Sequence, residues 1–595
     1  MSAPTARTPA LALALLFTLS VFTGCFGGDD ESTPKETDVS HPSIWERHTL
    51  EWNTSHTHSF ILERGLYQAL DVQEATFGVD TSSVWETGPP NAEVHLSYWL
   101  PSNTLDGEQV PVIAVVSPYF SFGQPSSEST PTNVVGAGRG EFIFQNFVPH
   151  GYAFAQVAVF GTEESSGCFD YRGAGEQLGI DAAVTWLGTQ EWSNGNVGLY
   201  GKSYEGATQW EAAVFSNPYL KTIVPISGTS GLKELLYKNG SAEARSQVMH
   251  MNYFSSTVDY DEDDMDNVCP DIVEGLFAGP GTYILGEFDP YMDNYYAERS
   301  YIERAHANYN GSIYWVQGLQ DWNVDSHMVF PHYDRFLESG FEVRGMVGQW
   351  GHHYPDQWTS QDDIDDDNGG TAFHNMTRWD WGQDLFEWFE YYLKGSGPKP
   401  ESFVQIQRND GEWRIEPTWP PEDSVWTEFD FSMCTNTNGN EFVGGAPLIG
   451  GPVEVIVECP GFAEDVHISG LPTLHMTVHA TGDGGQIFVE LQDADTGLRL
   501  GHATMDVRYH DGGQEPQTVY PGQSLVMNME FFGIDSFLPA GHGLRLVMTS
   551  TGKDYLAPAC SCPVHIMMDD TSVLTIPTIE RDGSSVLIVP QPTEE

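Results

Sequence analysis

Basic residues are scarce in this 595-residue chain: 25 lysines and arginines face 84 aspartates and glutamates, a formal charge of −59. That balance excludes nucleic acid and anionic membrane surfaces as electrostatic partners. The acids run along the whole length instead of gathering in a tail. They read as a solvated carboxylate surface, self-repelling at low ionic strength and screened by salt, as expected of adaptation to a saline medium. Long apolar runs are also missing: the strongest, Ala10 to Phe22, is too short to span a bilayer comfortably. Cysteine is rare, with 7 residues. Cys560 and Cys562 have no matching pair at metal-ligand spacing, which argues against a zinc site. No internal repeat is present.

The N-terminus carries an export pattern. Arg7 precedes the apolar run, which ends in Phe22-Thr23-Gly24-Cys25 and resembles a lipoprotein lipobox, with Phe22 where leucine is usual. Residues 1–24 are read as a signal peptide and 25–45 as a polar tether. The expectation is an extracytoplasmic protein anchored to the outer face of the cell membrane through lipid on Cys25, with plain secretion as the alternative. Export leaves Cys168, Cys269, Cys434, Cys459, Cys560 and Cys562 in an oxidising compartment, and the spacing does not choose among their pairings.

From 46 to 227 apolar strands alternate with helical patterns, which predicts a mostly parallel sheet covered on both faces. Residues 228–311 carry tyrosine-rich helical segments such as Tyr295 to Ala307 and read as a helical cap insertion. The α/β grammar returns over 312–423 and includes an amphipathic helix, Trp379 to Lys394, stopped at Gly395. From 424 to 595 the pattern alternates with period 2 between glycine-rich turns, which predicts a β-sandwich.

One segment carries chemistry. The apolar strand before Gly201-Lys202-Ser203-Tyr204-Glu205-Gly206 feeds a turn that opens a helix, the pattern of a nucleophile elbow, with Glu205 where the second glycine is usual. A phosphate-binding loop is excluded, because Asn196 stands where its first glycine belongs. A serine nucleophile needs a histidine base and a carboxylate to orient it, and in this fold they follow in the order acid, base, each after a later strand. Asp321, in Gly318-Leu319-Gln320-Asp321-Trp322-Asn323-Val324, and His352, in Trp350-Gly351-His352-His353, stand in those places, with His353 a rival. The run Asp362 to Asn368 lacks the glycine and twelfth-position acid of a calcium loop and reads as a solvated loop.

Taken with Gln190-Glu191-Trp192-Ser193-Asn194-Gly195, Ile468-Ser469-Gly470-Leu471-Pro472 and Pro539-Ala540-Gly541-His542, these motifs resemble the Xaa-Pro dipeptidyl-peptidase and cocaine-esterase superfamily of serine hydrolases, over essentially everything after the tether. The resemblance implies an α/β-hydrolase sheet with a helical cap and a C-terminal jelly-roll β-sandwich. It implies Ser203 as nucleophile, Asp321 as orienting acid and His352 as base. The oxyanion hole would comprise the Tyr204 backbone N–H and the Tyr119 hydroxyl. No metal or organic cofactor is expected, and the substrate would be a small peptide or ester. A dipeptidyl-peptidase releasing Xaa-Pro is favoured, with an esterase or amide acylase as the alternative. Glu287 and Asp289 in the insertion are candidates to hold a substrate's terminal ammonium. A non-catalytic surface binding protein would predict a broken triad, and no position is broken.

Overall fold

The computed structural model describes residues 59–85, 88–121, 140–243, 268–269, 293–357, 378–443, 454–512, 516–552, 555–556 and 562–580, together with two-residue strands at 52–53, 586–587 and 592–593. Cys25, Glu287 and Asp289 lie outside the described residues.

Uniform burial explains why the central strands lack polar alternation. Val110–Ser117, Ala153–Ala158, Ser312–Gly318 and Val343–Gly348 are buried at every position, as a parallel sheet between two helical layers requires. They belong to an 11-stranded sheet. Its order is Gln73–Asp80, Asn91–Trp99, Ala153–Ala158, Val110–Ser117, Ser193–Lys202, Leu220–Ile226, Ser312–Gly318, Val343–Gly348, Val404–Gln407, Trp413–Glu416 and Val586–Leu587. Pairing is parallel from Ala153–Ala158 to Val404–Gln407 and antiparallel at both margins. Helix Trp381–Lys394 buries Trp381, Leu385, Trp388 and Phe389, and ends at Gly395 with φ of 68°, a left-handed cap that glycine adopts without Cβ strain.

The insertion departs from expectation in two places. A short hairpin, Tyr237–Lys238 with Ser241–Ala242, interrupts a segment read as a helical insertion. The helix expected over 295–307 is two helices, Asp293–Glu298 and Ile302–Asn308. Between them Arg299 is buried, and its guanidinium donates to the Asp170 and Tyr171 carbonyls at 2.6 and 2.9 Å. A disulfide between Cys168 and Cys269 ties this insertion to the sheet domain. Cys434 bonds Cys459, and Cys562 is also disulfide-bonded.

The C-terminal region forms two antiparallel sheets of 8 and 5 strands around a core that includes Val457, Met476, Leu491, Met527 and Leu546. The sandwich does not take the whole of 424–595: Val586–Leu587 returns to pair with Trp413–Glu416 in the central sheet, and Pro592–Thr593 runs parallel to Trp52–Asn53. The two domains are also clasped by charge. Arg414, on a central-sheet strand, donates to both oxygens of buried Asp535 on a sandwich strand, at 2.7 and 2.6 Å. His467 lies 2.9 Å from the same carboxylate.

Candidate active site

The parallel strands deliver their reactive side chains to one end. Ser203 follows Ser193–Lys202, Tyr119 follows Val110–Ser117, Asp321 follows Ser312–Gly318 and His352 follows Val343–Gly348. The carboxyl ends of parallel strands are where α/β sheets place ligands.

Ser203 has φ of 65° and ψ of −121°, and helix Tyr204–Ala213 begins at the next residue. A left-handed non-glycine residue at a strand-to-helix turn is the strained conformation that lifts a serine hydroxyl clear of the sheet. The turn is held by the Ser203 N–H on the Ile226 carbonyl at 3.0 Å and by Ala207 N–H on the Ser203 carbonyl at 2.9 Å. The displaced second glycine has a steric reason. A Cβ at Gly206 would stand 2.7 Å from the Ile226 carbonyl oxygen and 2.8 Å from Gly228 Cα, so Gly206 is where the helix presses on the next strand.

The Asp321 and His352 loops are built against each other. A Cβ at Gly318 would lie 2.1 Å from the Trp350 carbonyl oxygen, and one at Gly348 would lie 1.7 Å from the Trp350 ring. The two glycines thus let Trp350 fold over the strand ends. Leu319 N–H donates to Gly348 O at 2.8 Å and Gln320 N–H to Trp350 O at 3.1 Å. His352 Nδ1 is thereby brought to 2.9 and 3.2 Å from the two oxygens of fully buried Asp321. Burial alone would raise the Asp321 pKa, but His352 and the Val324 N–H outweigh it and hold the carboxyl below its ordinary value. Val324 and Asn323 N–H donate to Oδ1 at 2.8 and 3.0 Å. Lys202, next to the serine, donates to the His352 carbonyl at 2.7 Å, which ties the His352 loop to the elbow. His353 does not share this arrangement: it is pushed down to about 4 by burial, with the charges of Lys202 and His352 adding to the effect.

Tyr119 is half-buried, its ring edge-on to that of Tyr204 with centroids 5.9 Å apart. Tyr204 is buried, and its hydroxyl donates to Glu176 at 2.7 and 2.8 Å.

Two features were not found by reading motifs. One is the buried polar network beneath the elbow, in which Arg172 pairs with Glu211 at 3.0 Å and reaches Thr229. The other is Gln349, whose N–H donates to Gln407 Oε1 at 3.0 Å and whose side-chain amide donates to the Gln407 and Asp535 carbonyls at 3.0 and 2.9 Å. It fastens the histidine loop to both domains. Neither glutamine carries a motif signal, since only the assembled sheet puts them together. Among the described residues Asp493, Asp495 and His542 bring ligand atoms within 4.8 Å of one another. They lie in the sandwich and are occupied with neighbours, His542 with Asp493 at 2.9 Å and Asp495 with the Gly543 N–H at 3.0 Å.

Sheet, strained serine turn and facing Asp321 and His352 loops define an α/β-hydrolase fold. The X-Pro dipeptidyl-peptidase (S15 family) model matches residues 91–354, and the model of the X-Pro dipeptidyl-peptidase C-terminal non-catalytic domain matches 396–560. A putative Xaa-Pro dipeptidyl-peptidase of Streptomyces avermitilis is 24% identical over 550 residues, 77% of this chain and 76% of that protein. The cocaine esterase of a Rhodococcus species is 32% identical over 123 residues, 21% of this chain and 20% of that enzyme. A CocE/NonD family hydrolase from Staphylococcus aureus superposes with a TM-score of 0.63 at 14% identity, covering 89% of this chain and 99% of that one. The chain belongs to the Xaa-Pro dipeptidyl-peptidase and cocaine-esterase superfamily and is a serine hydrolase.

Proposed function

We propose that this protein is an exported dipeptidyl-peptidase that releases Xaa-Pro units through an acyl-enzyme on Ser203. The observation that carries the reading is the His352 to Asp321 bond of 2.9 Å on loops at the same sheet end as the strained serine turn. A neutral His352 held by Asp321 takes the Ser203 proton as Oγ attacks the carbonyl and returns it to the leaving amine, while Asp321 stabilises the imidazolium. Water then repeats the sequence to release the acyl group. The Tyr204 N–H and the Tyr119 hydroxyl supply donors for the oxyanion, where charge develops. Glu287 or Asp289 holds the substrate's terminal ammonium, because a buried ammonium without a partner costs several kcal/mol.

The test compares Ala-Pro-anilide with its N-acetylated form. The free dipeptide is expected to be cleaved and the blocked one spared, and neutralising Glu287 or Asp289 should mainly raise KM. Ser203→Ala should abolish fluorophosphonate labelling and cut turnover by roughly 10⁴-fold or more. Undiminished labelling of that variant would remove Ser203 from the role. The second reading, an esterase or amide acylase, draws on the 32% identity to cocaine esterase over 123 residues. Equal turnover of blocked and free substrates, or a strong preference for simple esters, would favour it.

The reading includes lipid attachment at Cys25, since acyl chains on that residue hold a protein at a membrane where one chain alone is marginal. Cys25→Ser is expected to release the protein or leave its leader uncleaved. A wild-type protein found soluble with another mature N-terminus overturns this part.

A further inference from the structure

Glu205 occupies the elbow position where a small residue is usual, and it is buried, with 4% of its surface exposed. Room for it comes from Gly201, at φ of +151°, where a Cβ would stand 2.4 Å from Glu205 Cβ. The Glu205 carboxyl group reaches the neighbouring strand. Its Oε1 accepts the Ser117 hydroxyl at 3.0 Å, and Ser117 Oγ in turn accepts the Tyr119 N–H at 3.1 Å. Ser117 is itself fully buried. Two hydrogen bonds thus run from the residue after Tyr204 to the backbone of Tyr119, joining the carriers of both proposed oxyanion donors.

We propose that Glu205 is a positioning residue for the oxyanion hole, setting through Ser117 the backbone from which Tyr119 presents its hydroxyl. This rests on the reading of Tyr119 as a donor. A buried carboxylate is an expensive way to fill space, since an apolar side chain of similar size carries no desolvation cost. Burial pushes the Glu205 carboxyl up to about 7, opposed by the Ser117 hydroxyl, the Lys202 charge and backbone N–H groups. The helix is fixed to this strand without Glu205, because Thr208 Oγ1 donates to the Val116 carbonyl at 3.1 Å. What Glu205 adds is orientation of the Ser117 hydroxyl, whose oxygen is then left to accept from Tyr119. Donors help an oxyanion only when aimed before charge develops, so loss of that aim lowers kcat more than it raises KM.

The experiment is steady-state kinetics of the purified full chain on Ala-Pro-anilide and a short-chain nitrophenyl ester, using whichever is turned over. A trifluoromethyl ketone that forms a tetrahedral adduct on the serine is titrated in parallel, and a melting curve accompanies each variant. Tyr119→Phe should lower kcat by about 10²-fold. Glu205→Leu and Ser117→Ala should each lower kcat about tenfold with KM within about twofold, and the double variant should be no worse than the poorer single. Glu205→Gln keeps an oxygen to accept the Ser117 hydroxyl and should restore most of kcat. Ketone affinity should fall in step with kcat/KM. If Tyr119→Phe leaves kcat unchanged, the donor reading fails and takes the proposal with it. If Tyr119→Phe is impaired but Ser117→Ala is not, or Glu205→Gln is as damaging as Glu205→Leu, the positioning role alone is overturned. Should Glu205→Leu not fold, Ser117→Ala and Glu205→Gln decide the matter.

Discussion

His352 and His353 are chemically identical neighbours, yet the loop gives them different surroundings. His352 meets a buried carboxylate, while His353 is pushed down to about 4 by burial, aided by the charges of Lys202 and His352. A general base must accept a proton as the transition state forms, and the Asp321 charge favours that on His352. His352→Ala is therefore expected to be as damaging as Ser203→Ala, and the double variant scarcely worse, because members of such a unit act together. His353→Ala should retain most activity. Comparing kcat/KM of the four proteins checks this, and the opposite ranking of the histidines would transfer the role.

Between elements, the contact that stands out is the buried clasp of Arg414 on Asp535. Burial alone would raise the Asp535 carboxyl, but Arg414 and His467 outweigh it and hold the group well below the usual carboxylate range. A carboxyl depressed on folding adds stability that is complete above the unfolded pKa and disappears as pH falls through the folded one. Asp535→Asn removes the two-pronged partner of Arg414, which keeps Glu416 at 2.6 Å, and should cost about 2–3 kcal/mol near neutral pH. The deficit should shrink as pH is lowered below about 4. Denaturant unfolding of both proteins from pH 7 to pH 3 measures it. A deficit that stays constant would mean that packing, and not the ion pair, joins the domains there. The clasp also bears on the site, because Gln349 donates to the Asp535 carbonyl from the strand end that feeds the histidine loop.

The whole molecule carries −59 charges, and such self-repulsion opposes the compact state unless ions screen it. With a Debye length near 10 Å at 0.1 M salt, screening should be most effective as salt rises from tens of millimolar toward 1 M. The melting temperature is expected to climb over that range and then flatten. Replacing a dozen exposed acids by lysine should reduce the slope without lowering activity. A melting temperature indifferent to sodium chloride would leave the acidic surface without a saline role.

Much of this protein is determined by local sequence. The strained serine turn, the order of the Asp321 and His352 loops and the change of grammar toward the β-rich tail are local patterns, since each depends on backbone propensity or hydrophobic period within a few residues. The departures lie where distant segments meet. Val404–Gln407 and Trp413–Glu416 carry glutamine, arginine and glutamate at buried positions. Distant residues satisfy those groups, Gln349 bonding Gln407 within the sheet domain and Asp535 taking Arg414 across the domain boundary. That His352 and not His353 meets Asp321 depends on how Trp350 folds against Gly318 and Gly348. The disulfides followed the same rule: spacing left the pairings open, and the fold brought Cys168 to Cys269 across 101 residues and Cys434 to Cys459 across 25. Local periodicity is written in neighbouring residues, whereas partners for buried charge, polar side chains and thiols come from remote ones, and tertiary structure alone decides which meet.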